Sequence, residues 1–278
     1  MKPGVYKVSD LPAELVSTLD LKGDYALYDK ARGGSYHFFE VELLKRIESE
    51  RQLIEIIRSP VHGHFLVLDG EVQIASADEH EYHGAFARES LAFLEERNAK
   101  PTYKAMVFGG GDGCLAREML DTDKFNSIEI IDWDKDVLGL FSDGEMADVF
   151  NTKRVFASDT VKVYSEDFRD YQFEALGDSV DILYFDLTDE AVDDPAWSGQ
   201  MVDLLNYFIA DQKQELVLAV QLGSRFCHTP TQNFELLLGA LKDKFSDQKI
   251  KLTHKEICFY IPSYSTYWAL GFVGISYD

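Results

Sequence analysis

Carboxylates stand at or just past the ends of four successive apolar runs: Asp112 inside VFGGGDG, Asp132 closing SIEIID, Asp167 beyond TVKVYS, and Asp186 with Asp189 closing VDILYFDLTD. If those runs are parallel strands, the acids face one site, because ligands of open α/β sheets sit outside the carboxyl ends of the strands. A rim of carboxylates suits a cationic ligand. A carboxylate can also serve as a general base.

The glycine turn at 109–113 narrows the choice of ligand. Glycine clusters between a strand and a helix commonly hold a phosphate on bare backbone N–H groups, aided by the helix dipole. Gly111, Gly113 and Ala116 meet the G-x-G-x-x-A spacing of nicotinamide dinucleotide sites, and Asp132 follows about 20 residues on, where an acid hydrogen-bonds a ribose diol. Asp112 argues against that reading. Its charge would lie where the pyrophosphate sits, and like charges close together in a part-buried site are strongly unfavourable. A nucleoside that carries positive charge and no phosphate, such as an adenosyl sulfonium compound, fits both the acid and the glycines, which let backbone approach a ligand closely. Asp167 has two readings, a partner for the adenine amino group or the N-cap of a following helix. Asp186 and Asp189 can likewise cap the helix that follows.

At 278 residues the chain is long enough for one large domain or a small one joined to a larger one. Its 46% hydrophobic and 13% aromatic content supports a buried core and excludes the disordered class. Acidic residues number 49 against 27 basic, a net charge of −22. Nucleic acid is therefore not an expected partner, since phosphate contacts need Lys and Arg. The excess acid fits cationic ligands, or serves only to keep the surface solvated. Cys114, Cys227 and Cys258 form no CxxC pair and no metal-ligand cluster, and the first residues hold no apolar stretch of signal-peptide or membrane-spanning kind. The expectation is a cytoplasmic protein in a reducing compartment, with no membrane partner and no metal.

Two styles of pattern position the acids. From Phe38 to Ile74, QLIEIIRS and HFLVLDGEVQIAS are rich in β-branched and aromatic residues around turn signals at Pro60, Gly63, Asp69 and Gly70, which predicts a small antiparallel sheet. After about Asp78, short apolar runs such as KAMVFGG and ELVLAVQLG alternate with amphipathic stretches such as CLAREML and FELLLGALKDKF. That alternation predicts a parallel sheet of βαβ units covered on both faces. The expected organisation is an N-terminal β-domain over 1–78 and a Rossmann-like catalytic domain of the class I methyltransferase type over 79–278.

The stretches LDGEVQIASADEHEYHGAF, VFGGGDGCLARE, IIDWDKDVL, SEDFRDY, FDLTDEA and IPSYSTYWALGF resemble, in order and spacing, the spermidine/spermine synthase family of polyamine aminopropyltransferases. The resemblance runs from about Gln52 to Phe272. It implies a small β-domain before a Rossmann-like domain, assembly as a homodimer or homotetramer, and no cofactor beyond the co-substrate, decarboxylated S-adenosylmethionine.

Carried over residue by residue, the resemblance makes Asp112 the partner of the donor's aminopropyl ammonium, with Gly109, Gly111 and Gly113 shaping the loop around it. Asp132 matches the ribose-diol acid and Asp167 the acid near adenine. Gln52 matches a donor-pocket position; Gln73 is a weaker match and also fits a residue on a sheet surface. On the acceptor side, Tyr82 and His83 match an amine-channel tyrosine and its neighbour, Asp189 a second amine-binding acid, and Tyr264 a tyrosine near the attacking amine. Tyr82 fits a core position equally well. Asp186 matches the catalytic base. The resemblance thus implies transfer of an aminopropyl group to a polyamine, with release of 5′-methylthioadenosine.

Departures from the family pattern bear on the acceptor. Asp189 is followed by Glu190 and Ala191 where many spermidine synthases have proline, and PSYSTYW and DLT look more like the spermine synthase branch. That branch tends, however, to carry an acid at the place of Thr266 and to lack the second aspartate kept here as Asp189. Retention of Asp189 favours putrescine as acceptor and spermidine as product. A spermine- or thermospermine-type synthase acting on spermidine is the alternative, and an S-adenosylmethionine-dependent methyltransferase on the same fold is a more distant one.

Overall fold

β-Branched and aromatic residues in period-two runs build the N-terminal part of the chain, residues 4–75. The computed structural model describes residues 1–29, 37–171, 180–187, 195–211, 215–224 and 229–277. Strands β1 (Gly4–Lys7), β2 (Tyr25–Asp29), β3 (His37–Glu48), β4 (Leu53–Ser59), β5 (Gly63–Leu68) and β6 (Glu71–Ala75) pair in chain order as one antiparallel meander. Val5, Leu27, Val41, Ile57, Phe65, Val67 and Ala75 are buried together as its core. The β5–β6 hairpin closes through Asp69 and Gly70, both at positive φ, as the Asp-Gly signal demands of a two-residue turn matched to strand twist.

The central strands of the second sheet are largely apolar and buried, as expected when both faces are covered, whereas its two edge strands carry many polar, part-exposed residues. Every residue of β11 (Leu216–Ser224) is buried. With β7 (Tyr103–Gly109), β8 (Phe125–Asp132), β9 (Val161–Ser165), β10 (Ile182–Asp186), β12 (Ile250–Ile261) and β13 (Thr266–Tyr277) it forms a seven-stranded sheet in the order β12-β13-β11-β10-β7-β8-β9. The strands from β11 to β9 are parallel, and β13 pairs with β11 antiparallel. The sheet is thus mixed rather than purely parallel, a correction that the C-terminal hairpin makes to the alternation pattern. This is the Rossmann-like, methyltransferase-type architecture, preceded by a separate antiparallel sheet.

The chain order explains where a ligand belongs. From β7 the chain runs outward through β8 to β9, then returns to β10 on the other side of β7 and proceeds to β11. β7 and β10 therefore flank the point where the winding reverses, the place where sheets of this kind leave a crevice. Contacts divide the chain into two compact units, Met1–Tyr82 with Tyr260–Thr266 and His83–Phe259 with Tyr267–Asp278. Among the described residues no helix is long and apolar enough to cross a membrane.

Candidate active site

At the reversal point Asp186, the last residue of β10, is in register with Gly109, the last of β7. Gly109 has φ +79°, and a Cβ there would lie 2.1 Å from the Asp186 carbonyl oxygen, so the two strand ends meet this closely only with glycine. Gly111 answers to the next strand: its N–H donates to Asp132 Oδ2 at 3.0 Å, and a Cβ would sit 2.6 Å from that carboxylate. Gly113 caps the helix Cys114–Leu120, and its N–H donates to the Gly110 carbonyl at 2.9 Å. The glycines therefore gather two aspartates from neighbouring strands around one turn.

Asp112 is part of that turn and more. Its Oδ1 accepts from the Cys114 N–H at 2.7 Å, an ordinary turn role. Among the described residues no donor is aimed at Oδ2. The carboxylate is partly exposed, and this second oxygen can accept a further hydrogen bond.

Asp132 also accepts from the Asp134 N–H at 2.9 Å, while Asp134 caps the helix Lys135–Ser142 through Asp136 N and Val137 N. Burial pushes the Asp132 pKa up to about 6, and the charges of Asp112 and Asp134 add to the rise against the two backbone hydrogen bonds. A group so close to neutrality is ionised at pH 7, but not comfortably, and a cation or a pair of hydroxyl donors at the turn would relieve it.

Asp167 lies just beyond β9, the strand that pairs with β8, and is buried. Its Oδ1 accepts from the Arg169 N–H at 3.0 Å, a turn-initiating bond, and the Arg169 guanidinium grips the carboxylate through Nε at 2.8 Å and Nη2 at 2.5 Å. Residues 168–170 form a turn rather than the first turn of the helix expected to open at Asp167, and residues 172–179 lie outside the described residues.

Asp186 has its side chain 10% exposed, and His83 Nε2 stands 4.0 Å from its Oδ2. His83 is buried, and one of its ring nitrogens lies within 4.8 Å of Cys114 Sγ, which ties it to the start of the helix after the glycine turn. Gln221, from buried β11, donates to the carbonyl of Leu187 at 2.8 Å and so fixes the backbone directly after Asp186. Behind the site, the Tyr184 hydroxyl bonds Ser90 Oγ at 2.7 Å, and burial raises the Tyr184 pKa.

The structure brings His83, Gly109, Gly111, Asp112, Gly113, Asp132 and Asp186 together at the ends of β7, β8 and β10, with Asp167 one strand further out. Of the remaining candidates, Gln52, Gln73, Tyr82 and Tyr264 belong to the other compact unit. Gln52 is part-buried in the turn between β3 and β4, where Ser49 N–H donates to its carbonyl at 3.0 Å. Gln73, on β6, donates its side-chain amide to the Glu71 carbonyl at 3.2 Å, and its own carbonyl accepts from the Tyr264 hydroxyl. Tyr82 is buried in the helix Glu79–Glu95. Asp189 lies outside the described residues. Sequence reasoning missed Gln221, although a lone amide in LVLAVQLGS is a readable signal, and missed Arg169, Asp78 and Ser263, whose contacts no local pattern announces.

Comparison with known proteins agrees with this fold. A spermine/spermidine synthase domain model matches residues 85–273. Polyamine aminopropyltransferase 2 of Caldanaerobacter subterraneus subsp. tengcongensis is 25% identical over 236 residues, which cover 84% of this chain and 73% of the relative. The polyamine aminopropyltransferase of Nitrosomonas europaea is 26% identical over 266 residues, 92% of this chain and 73% of its own. Among solved structures, spermidine synthase from Thermotoga maritima matches with a TM-score of 0.67 at 19% identity, covering 89% of this chain and 78% of that one. A spermidine synthase in complex with the transition-state analogue AdoDATO matches with a TM-score of 0.66 at 18% identity.

Proposed function

The chain belongs to the spermine/spermidine synthase family of polyamine aminopropyltransferases, and on that premise we propose that it moves the aminopropyl group of decarboxylated S-adenosylmethionine to putrescine, giving spermidine and 5′-methylthioadenosine. The observation that carries this reading is Asp112 in the glycine turn. It keeps one carboxylate oxygen for a ligand, beside a second acid whose pKa the first helps to raise. A phosphate would add charge of the same sign; an alkylammonium relieves it.

In this reading Asp112 pairs with the donor's ammonium, Asp132 accepts from the ribose hydroxyls, and Asp167, held flat by Arg169, accepts from the adenine amino group. The acceptor arrives as an ammonium with no lone pair, so it must lose a proton before it attacks. Asp186 takes that proton. The freed nitrogen attacks the aminopropyl carbon next to sulfur, the C–S bond breaks toward sulfur, and a neutral thioether leaves. The sulfonium is thereby neutralised, which removes much of the acidic site's attraction for the nucleoside product. Tyr82, His83, Asp189 and Tyr264 take the acceptor side. The choice of putrescine over spermidine rests on Asp189.

Donor discrimination tests the reaction class. With decarboxylated S-adenosylmethionine and putrescine the protein should release 5′-methylthioadenosine, and with S-adenosylmethionine neither that thioether nor S-adenosylhomocysteine. Production of S-adenosylhomocysteine would make the protein a methyltransferase.

A further inference from the structure

Tyr264 sits third in the four-residue turn that joins β12 to β13. The turn is closed by the Ser265 N–H donating to the Pro262 carbonyl at 3.0 Å, with Ser265 at φ +52°. A tight turn with a β-carbon-bearing residue in the left-handed region holds its shape only when other contacts determine it. Those contacts come from Asp78, in the segment between β6 and the helix Glu79–Glu95. Its Oδ2 accepts from the Ser263 N–H at 2.7 Å and its Oδ1 from the Ser263 hydroxyl at 2.8 Å. Asp78 and Ser263 are 5% and 1% exposed, so this is a buried, two-point, charge-assisted clasp.

A third bond fixes the role of the phenol. The Tyr264 hydroxyl donates to the backbone carbonyl of Gln73, which has no hydrogen to give in return. With its only proton committed, the phenol oxygen can offer a ligand lone pairs and nothing else. Such a group receives N–H donors, and an alkylammonium carries three of them.

We propose that Asp78 is a positioning residue for the acceptor amine: by clasping Ser263 it sets the turn, so that Tyr264 engages Gln73 and presents an acceptor-only oxygen to the substrate ammonium. This rests on the reading of Tyr264 as an acceptor-side residue in aminopropyl transfer. Asp78 itself touches no substrate. Its contribution should therefore show as acceptor affinity and pass wholly through Tyr264.

Steady-state kinetics on the full chain, with decarboxylated S-adenosylmethionine saturating and putrescine varied, test this. Asp78→Asn leaves one oxygen for two donors and turns an amide NH₂ toward the other; it should raise the acceptor KM about tenfold, the worth of one hydrogen bond to a charged group. Its kcat should fall far less, and its affinity for 5′-methylthioadenosine should not move. Tyr264→Phe should raise KM at least as much, and the double variant no further than Tyr264→Phe alone. Ser263→Thr, which keeps both donors, should hold the low KM, whereas Ser263→Ala should not; this pair decides the matter if Asp78→Asn does not fold. Unchanged acceptor KM in both Asp78→Asn and Ser263→Ala, or multiplicative effects of Asp78→Asn and Tyr264→Phe, would overturn the inference while transfer by the wild type stands. A wild type that transfers no aminopropyl group to any amine refutes the proposed function itself, and this inference with it.

Discussion

Replacing Asp132 by asparagine should separate folding from donor binding in a way that depends on pH. In the native protein the carboxyl titrates near 6 because burial outweighs the hydrogen bonds from Gly111 and Asp134. In the unfolded chain an aspartate titrates near about 3.9. The native state therefore binds more protons between those values, and the stability this group contributes is full below about pH 4 and is lost as pH rises through 6. The whole difference corresponds to about 3 kcal/mol, of which about 1 kcal/mol falls between pH 5 and pH 7. Asparagine has no such slope. Urea unfolding of both proteins at pH 5 and pH 7 should show Asp132→Asn gaining about 1 kcal/mol on the wild type across that interval. Donor affinity should move the other way. Only the ionised carboxylate can accept from both ribose hydroxyls, so the wild-type Kd for 5′-methylthioadenosine should rise about tenfold from pH 7 to pH 5. The weaker binding of the variant should stay flat. Parallel pH dependence in the two proteins, in stability and in binding alike, would refute the assignment of the titration to Asp132.

Other outcomes follow from the same site. Asp186→Asn should lower turnover by a factor of about 10² to 10⁴, the usual contribution of a positioned base, and leave 5′-methylthioadenosine binding unchanged; near-normal turnover would remove Asp186 from the chemistry. Asp112→Asn should weaken decarboxylated S-adenosylmethionine by about tenfold or more, as removal of one member of a charged pair does, and should narrow the preference over S-adenosylmethionine. Calorimetry should find 5′-methylthioadenosine nearly unaffected by that change, since it has no ammonium, whereas equal losses for all three ligands would leave Asp112 as a turn residue only. Asp189→Ala should raise the KM for putrescine far more than it lowers the saturated rate, the mark of a contact common to ground and transition states; the reverse pattern would place Asp189 with the chemistry.

The site was legible because its acids end apolar runs. VFGGGDG, SIEIID and VDILYFD each announce a buried strand and then break, and the residue at the break stands at the strand's carboxyl end, the side on which open α/β sheets bind ligands. The register of Asp186 against Gly109 could not be read, since the strands that pair are separated by more than seventy residues. Long-range contacts were silent for the same reason: nothing near Asp78 points to Ser263, and nothing in SEDFRDY says that Arg169 folds back on Asp167 rather than extending into solvent. Strands β1 and β2 escape periodic reading because four or five residues hold only two repeats of a period-two pattern. The antiparallel β13 shows the opposite difficulty. TYWALGFVGISY is apolar enough for any central strand, and direction within a sheet leaves no mark on composition.

The central claim is group transfer to an amine, and the most direct measurement follows the group itself. Decarboxylated S-adenosylmethionine labelled with carbon-13 in the aminopropyl chain would be incubated with the protein and an equimolar mixture of diaminopropane, putrescine, cadaverine and spermidine, and the amines read by mass spectrometry. The account predicts that all label leaving the donor appears in an amine, chiefly as spermidine, with one 5′-methylthioadenosine per transfer. Label that remains in the donor with every amine present would contradict it.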